Sequence, residues 1–96
     1  MRDNRSVIDF KAINTAALPQ LPELCARWLP QGIKRGEWLV RPRDDYHRGA
    51  FLISLVNGRW IDFATGTRGD DVISLAAYLT GMSQPEAAHH LADILG

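Results

Sequence analysis

Gly58-Arg59-Trp60-Ile61-Asp62-Phe63-Ala64-Thr65-Gly66-Thr67-Arg68-Gly69-Asp70-Asp71-Val72-Ile73-Ser74-Leu75 reads as a strand, a glycine-bearing loop and the capped start of a helix. Asn57-Gly58 at its head is the dipeptide favoured by two-residue type I′ turns, whose central residues both need positive φ. Ala50 to Val56 and Arg59 to Phe63 are therefore predicted to pair as antiparallel strands. Alternation along the second strand puts Trp60 and Asp62 on one face, and Arg59, Ile61 and Phe63 on the other.

Upstream, Trp38-Leu39-Val40 is a further short strand, cut at Pro42 and followed by a polar loop from Arg43 to Gly49. Before it, Ser6 and Asp9 form a helix-start pattern, with Val7, Ile8, Phe10, Ile13 and Ala17 along one side. Pro19 and Pro22 punctuate a second start. Leu21, Leu24, Cys25, Trp28 and Leu29 then recur at three and four, until Pro30-Gln31-Gly32 ends the helix. Downstream, Val72, Leu75, Ala76 and Leu79 stripe a helix from Asp71 to Thr80, closed by Gly81. Ser83-Gln84-Pro85-Glu86 is a capping box opening a last helix, which buries Ala87, Ala88, Leu91, Ala92 and Leu95. The expected architecture is one small α+β domain. Helices occupy residues 1–33, a three-stranded antiparallel meander 34–64 and a helical hairpin 65–96.

Ninety-six residues suffice for a single core. The lone cysteine, Cys25, excludes a disulfide framework and any multi-thiolate metal site, and fits a reducing compartment. Charged Arg2, Asp3, Arg5, Asp9 and Lys11 leave no apolar run for a signal peptide or membrane anchor, so a cytoplasmic protein is expected. Eleven basic and eleven acidic residues cancel, but unevenly. Between Lys34 and Arg68 lie seven cations against four carboxylates, whereas the chain from Gly69 onward holds only Asp70, Asp71, Glu86 and Asp93. The middle is basic and the end acidic.

The chain from Arg41 onward resembles the N-terminal zinc-ribbon domain of bacterial and phage DNA primases, above all the form heading primase–helicases of prophages and plasmids. Arg41-Pro42-Arg43-Asp44 stands where that family has Cys-Pro-x-His, and Asp62-Phe63-Ala64-Thr65 where it has Cys-Phe-x-Cys. Gly66, Gly69, Asp71, Val72, Ile73 and Ser74 match its glycine loop and helix start. Gly81-Met82-Ser83, Glu86-Ala87-Ala88 and Leu91-Ala92 match its trailing helix, and Leu21-Pro22-Glu23-Leu24 with Trp28-Leu29-Pro30 its phage leader. The departure is complete at the metal: Arg41, Asp44, Asp62 and Thr65 replace the ligands, and an arginine does not bind Zn²⁺. The resemblance thus implies a metal-free domain without cofactor, held by its core, with Phe51, Ile53, Ile61 and Phe63 as the expected anchors.

Arg41, Arg43, Arg48, Arg59, Trp60 and Arg68 form the candidate nucleic-acid surface, since single strands bind on aromatic platforms set between positive charges. Trp60 admits a second role as a cap over the sheet edge, and Tyr46 is a secondary stacking candidate. The Gly66-Thr67-Arg68-Gly69 loop meets a helix start where Asp70 and Asp71 occupy the donors and repel an anion, so capping is expected over phosphate binding. His89 and His90 diverge by about 100° on their helix, and His47 has no partner at metal spacing. Asp44-Asp45 and Asp70-Asp71 have nothing local to join them into a Mg²⁺ site. No nucleophile–base pair stands out, so no catalytic residue is assigned. The expected function is a non-catalytic module of a phage or prophage replication protein. It binds single-stranded DNA as template for a primase or helicase catalytic domain in cis or trans, with no membrane and no small-molecule substrate. The alternative is a protein-docking domain recruiting a helicase through the acidic helical hairpin, where Glu86 and Asp93 matter.

Overall fold

A computed structural model describes residues 9–42 and 49–96. Ser6, Val7 and Ile8 of the first helix reading lie outside the described residues. So do Arg43, Asp44, Asp45, Tyr46, His47 and Arg48 of the polar loop. The architecture is α+β: two N-terminal helices, a five-stranded antiparallel sheet and two C-terminal helices.

Helix α1 (Phe10–Ala17) starts at Asp9, whose carboxylate accepts the Ala12 N–H at 3.0 Å. One 3₁₀ turn carries the chain into α2 (Leu21–Trp28), which buries Leu21, Leu24 and Cys25. The meander follows as β1 (Ile33–Arg35), β2 (Trp38–Arg41), β3 (Phe51–Ser54), β4 (Trp60–Asp62) and β5 (Thr67–Gly69), each strand pairing with the next. Helix α3 (Val72–Thr80) is capped by Asp71, which accepts the Ser74 N–H, and ends at left-handed Gly81. Ser83 and Glu86 open α4 (Gln84–Leu95) with the reciprocal bonds of a capping box, and the Ser83 N–H holds the Glu86 carboxyl below its ordinary range. Asn14 on α1 accepts the Ile73 N–H at 2.9 Å, tying the first helix to the otherwise free first turn of α3.

Three features differ from the sequence reading. The meander gains a strand at each end: β1 turns into β2 over Gly36-Glu37, with Gly36 at φ 60°, and β5 returns from β4 over Phe63 to Gly66. Second, Asn57-Gly58 does not form a two-residue turn. Ile53 pairs with Trp60, and the Ser54 N–H reaches the Arg59 carbonyl, so Leu55 to Gly58 make a four-residue loop. Ser54 Oγ accepts the Val56 and Asn57 N–H groups, and the Gly58 N–H closes back on the Ser54 carbonyl with φ 80°. The β4–β5 loop repeats that plan, with Asp62 in place of Ser54 and Gly66 in place of Gly58.

Third, the core side of β4 is inverted. Phe51 and Ile53 are buried as expected, but the residues joining them are Trp60 and Asp62, while Ile61 is half-buried and Phe63 exposed. The cause is the register: Trp60 lies directly opposite Ile53, and Asp62 opposite Phe51. The core runs from Leu21, Leu24 and Cys25 through these residues to Val72, Ile73, Leu75 and Leu91. Burial pushes the Cys25 thiol up to about 12, which keeps it an unreactive apolar filler.

Candidate nucleic-acid interface

The two faces of the sheet have opposite chemistry. On the inner face, the Trp60 indole is only 4 % exposed and forms a three-ring cluster with Phe51 (centroids 5.7 Å) and Tyr78 of α3 (4.8 Å), whose own centroids lie 6.1 Å apart. Its Nε1–H donates to Ser74 Oγ at 3.0 Å. Gly69 lies over the ring: a Cβ there meets Trp60 Nε1 and Ser74 Oγ at 2.5 Å, so this contact admits no side chain. Trp60 is therefore a core residue, and its ring is closed to a base. This corrects its place in the candidate surface.

Beside it, three of the positions that the zinc-ribbon resemblance sets at metal ligands come together. Asp62 Oδ2 accepts the Tyr78 hydroxyl at 2.6 Å, Asp62 Oδ1 accepts the Ala64 N–H at 2.9 Å, and Thr65 Oγ1 lies 2.9 Å from the same Tyr78 oxygen. Arg41 Nη2 stands 3.9 Å from Asp62 Oδ1 and donates to the Gly49 carbonyl, with its guanidinium 5.4 Å from the Phe51 ring centroid. A cation already sits at the carboxylate and both Asp62 oxygens are engaged, so the set does not fit Zn²⁺. Among the described residues no three His, Cys, Asp or Glu side chains gather as a metal site. Arg41 is thus spent on internal contacts, its side chain 13 % exposed.

Among the described residues, no aromatic pair or side-chain hydrogen bond joins the outer face to a helix. One cross-strand row runs Ile33, Val40, Leu52, Ile61, Arg68 over all five strands. The next runs Arg35, Trp38, Ser54, Arg59. Trp38 is 47 % exposed, and Phe63, which continues β4 by donating its N–H to the Ala50 carbonyl, is 55 % exposed. Arg35, Arg59 and Arg68 are exposed, and none of the residues in these rows is acidic.

Of the six residues singled out from sequence, Arg59 and Arg68 share this outer face, Arg41 and Trp60 are turned to the core, and Arg43 and Arg48 lie outside the described residues. Sequence reasoning missed Trp38, Phe63 and Arg35. Their signal was the same two-residue alternation, applied with Trp60 inward. Asp71 caps α3 as expected, and Asp70 beside it is exposed, which leaves the glycine loop without an open set of donors for a phosphate. His89 is exposed and His90 half-buried. Among the described residues, one cleft of about 310 Å³ lies between α2 and the end of α4, and a more open one of about 320 Å³ lies between β5 and the α3–α4 junction. No helix among the described residues is long and apolar enough to cross a membrane.

No family model, no curated protein and no solved structure matches this chain.

Proposed function

We propose that this chain is a non-catalytic nucleic-acid-binding module of a mobile-element replication protein, one that positions template DNA for a separate primase or helicase catalytic domain in the cytoplasm. The observation that carries the reading is the outer sheet face, where Arg35, Arg59 and Arg68 stand with two exposed aromatic rings and, among the described residues of its cross-strand rows, no carboxylate. An overall neutral chain that gathers arginines on one face gains local attraction for a polyanion without net charge. The gathering of Arg41, Asp62 and Thr65 around Tyr78 supports the primase likeness, because the same positions converge with a hydrogen-bonded cluster in the metal's place. The acidic hairpin offers less to a docking partner than its composition suggests, since the Glu86 carboxylate is engaged by Ser83.

Fluorescence anisotropy with a labelled single-stranded oligonucleotide, over a salt series, tests this. Each phosphate contact contributes about −0.7 to the slope of log K against log salt on single strands, so replacing Arg35, Arg59 and Arg68 by Gln flattens that slope by about 2. Absence of binding at ~100 μM protein and low salt, far weaker than ordinary non-specific association, overturns the reading.

A further inference from the structure

We infer that the outer face holds single-stranded DNA at two stacking stations, Trp38 on β2 and Phe63 at the end of β4, toward opposite ends of these strands. The inference rests on the nucleic-acid reading above and specifies how the strand lies. Trp38 is on β2 opposite Ser54, and Phe63 extends β4 opposite Ala50, so the two rings are two strands and four residues apart. Strand spacing and rise convert this to about 16 Å along a diagonal. An extended single strand advances roughly 6 Å per nucleotide, so the stations take bases two or three positions apart on one chain.

The ground between them suits that path. Val40, Leu52 and Ile61 make a half-buried apolar floor against which intervening bases lie flat. The cations flank the diagonal: Arg35 sits directly opposite Trp38, Arg59 lies in the same row beyond Ser54, and Arg68 is paired with Ile61 beside the Phe63 end of β4. An apolar, aromatic surface bordered by guanidinium groups is complementary to bases facing inward and phosphates facing outward. A duplex hides its base faces and gains only the charge contacts, so the platform favours the single strand.

The test is a length series of oligothymidylates, dT2 to dT8, titrated against the whole chain and followed by anisotropy and tryptophan fluorescence. Wild type gains affinity steeply between two and about four nucleotides, where one strand first reaches both rings, and more gradually beyond. Trp38→Ala and Phe63→Ala each abolish that step and weaken dT6 binding roughly tenfold or more, the ratio expected for one lost stacked base. Trp38→Phe keeps a ring and retains the step. Because both side chains are exposed, thermal midpoints stay near wild type, so loss of fold does not mimic the effect. If wild type binds dT6 and both alanine variants bind it equally well, the stacking stations are wrong while the nucleic-acid reading stands. If wild type binds no oligonucleotide, both fall. Tighter binding of rU6 or of a duplex than of dT6 overturns the assignment to single-stranded DNA.

Discussion

Trp38 and Trp60 occupy neighbouring regions of one sheet and teach opposite lessons. Trp60 faces α3, locked by the Phe51 and Tyr78 rings, the Ser74 hydroxyl and the bare Cα of Gly69. Trp38 faces away, nearly half exposed, with Arg35 opposite and only the small Ser54 on its other side. Residue type alone does not separate the two. What separates them is which strand neighbour shares the core side: Leu39, not Trp38, on β2, and Trp60, not Ile61, on β4. The inner face is built for stability and is closed, whereas the outer face spends little on stability and keeps aromatic and cationic groups in water.

The sharpest way to break this contrast is to truncate both rings. Trp60→Ala removes one ring of the Phe51–Trp60–Tyr78 cluster and leaves a cavity under Gly69, while Ser74 Oγ keeps its bond to the Asp71 carbonyl, so a loss of about 3–5 kcal/mol is expected in chemical denaturation. For a domain this small, that is a large part of its total stability. Tyr78→Phe is gentler and tests the cluster standing at the zinc-ligand positions. It deletes the donor to buried Asp62 and the contact with Thr65 while keeping the ring, for an expected cost of about 1–3 kcal/mol. A melt unchanged by Tyr78→Phe would show that Asp62 is satisfied by Arg41 and Ala64 alone. Trp38→Ala stands at the small end: within about 0.5–1 kcal/mol of wild type by the same denaturation, as befits an exposed side chain. A larger loss there would mean that the outer face is covered in the folded protein.

Local signals carried much of the architecture. Asp71, Gly81 and the Ser83–Glu86 box announce α3 and α4 because a cap is decided within four residues. Helix α2 follows from apolar spacing, whereas α1 begins after Asp9, which caps it in place of the Ser6 start, and Phe10 of its expected apolar side is exposed. The face of β4 was not legible for a physical reason. Asp62 looks like a surface residue until Tyr78, sixteen positions later, supplies its hydroxyl. With Asp62 placed outside, alternation forced Trp60 outside as well. The two-residue turn expected at Asn57-Gly58 gives way to a four-residue loop because Ser54 Oγ, not the backbone preference of that dipeptide, organises it. Strands β1 and β5 escaped notice since three residues give no periodicity to read, and Gly36 and Gly66 were the only hints. For the candidate site, the basic middle of the chain was visible in composition. Its division into an outward set with Arg59 and Arg68 and an inward Arg41 depended on register. The link from Asn14 to Ile73, 59 residues apart, left no trace in the sequence.

The central claim is that the outer face of the sheet, and not the face carrying Trp60, meets nucleic acid. A ¹H–¹⁵N correlation spectrum of the three tryptophan indole groups during titration with dT6 addresses it in one experiment. The account predicts that the Trp38 indole resonance moves or broadens progressively, together with backbone signals of Leu52, Ile61 and Arg68. The Trp60 indole, bonded to Ser74 Oγ, stays in place, and so do Glu86 and Asp93 on α4. Movement of the Trp60 indole with a stationary Trp38, or shifts confined to α4, would contradict the account.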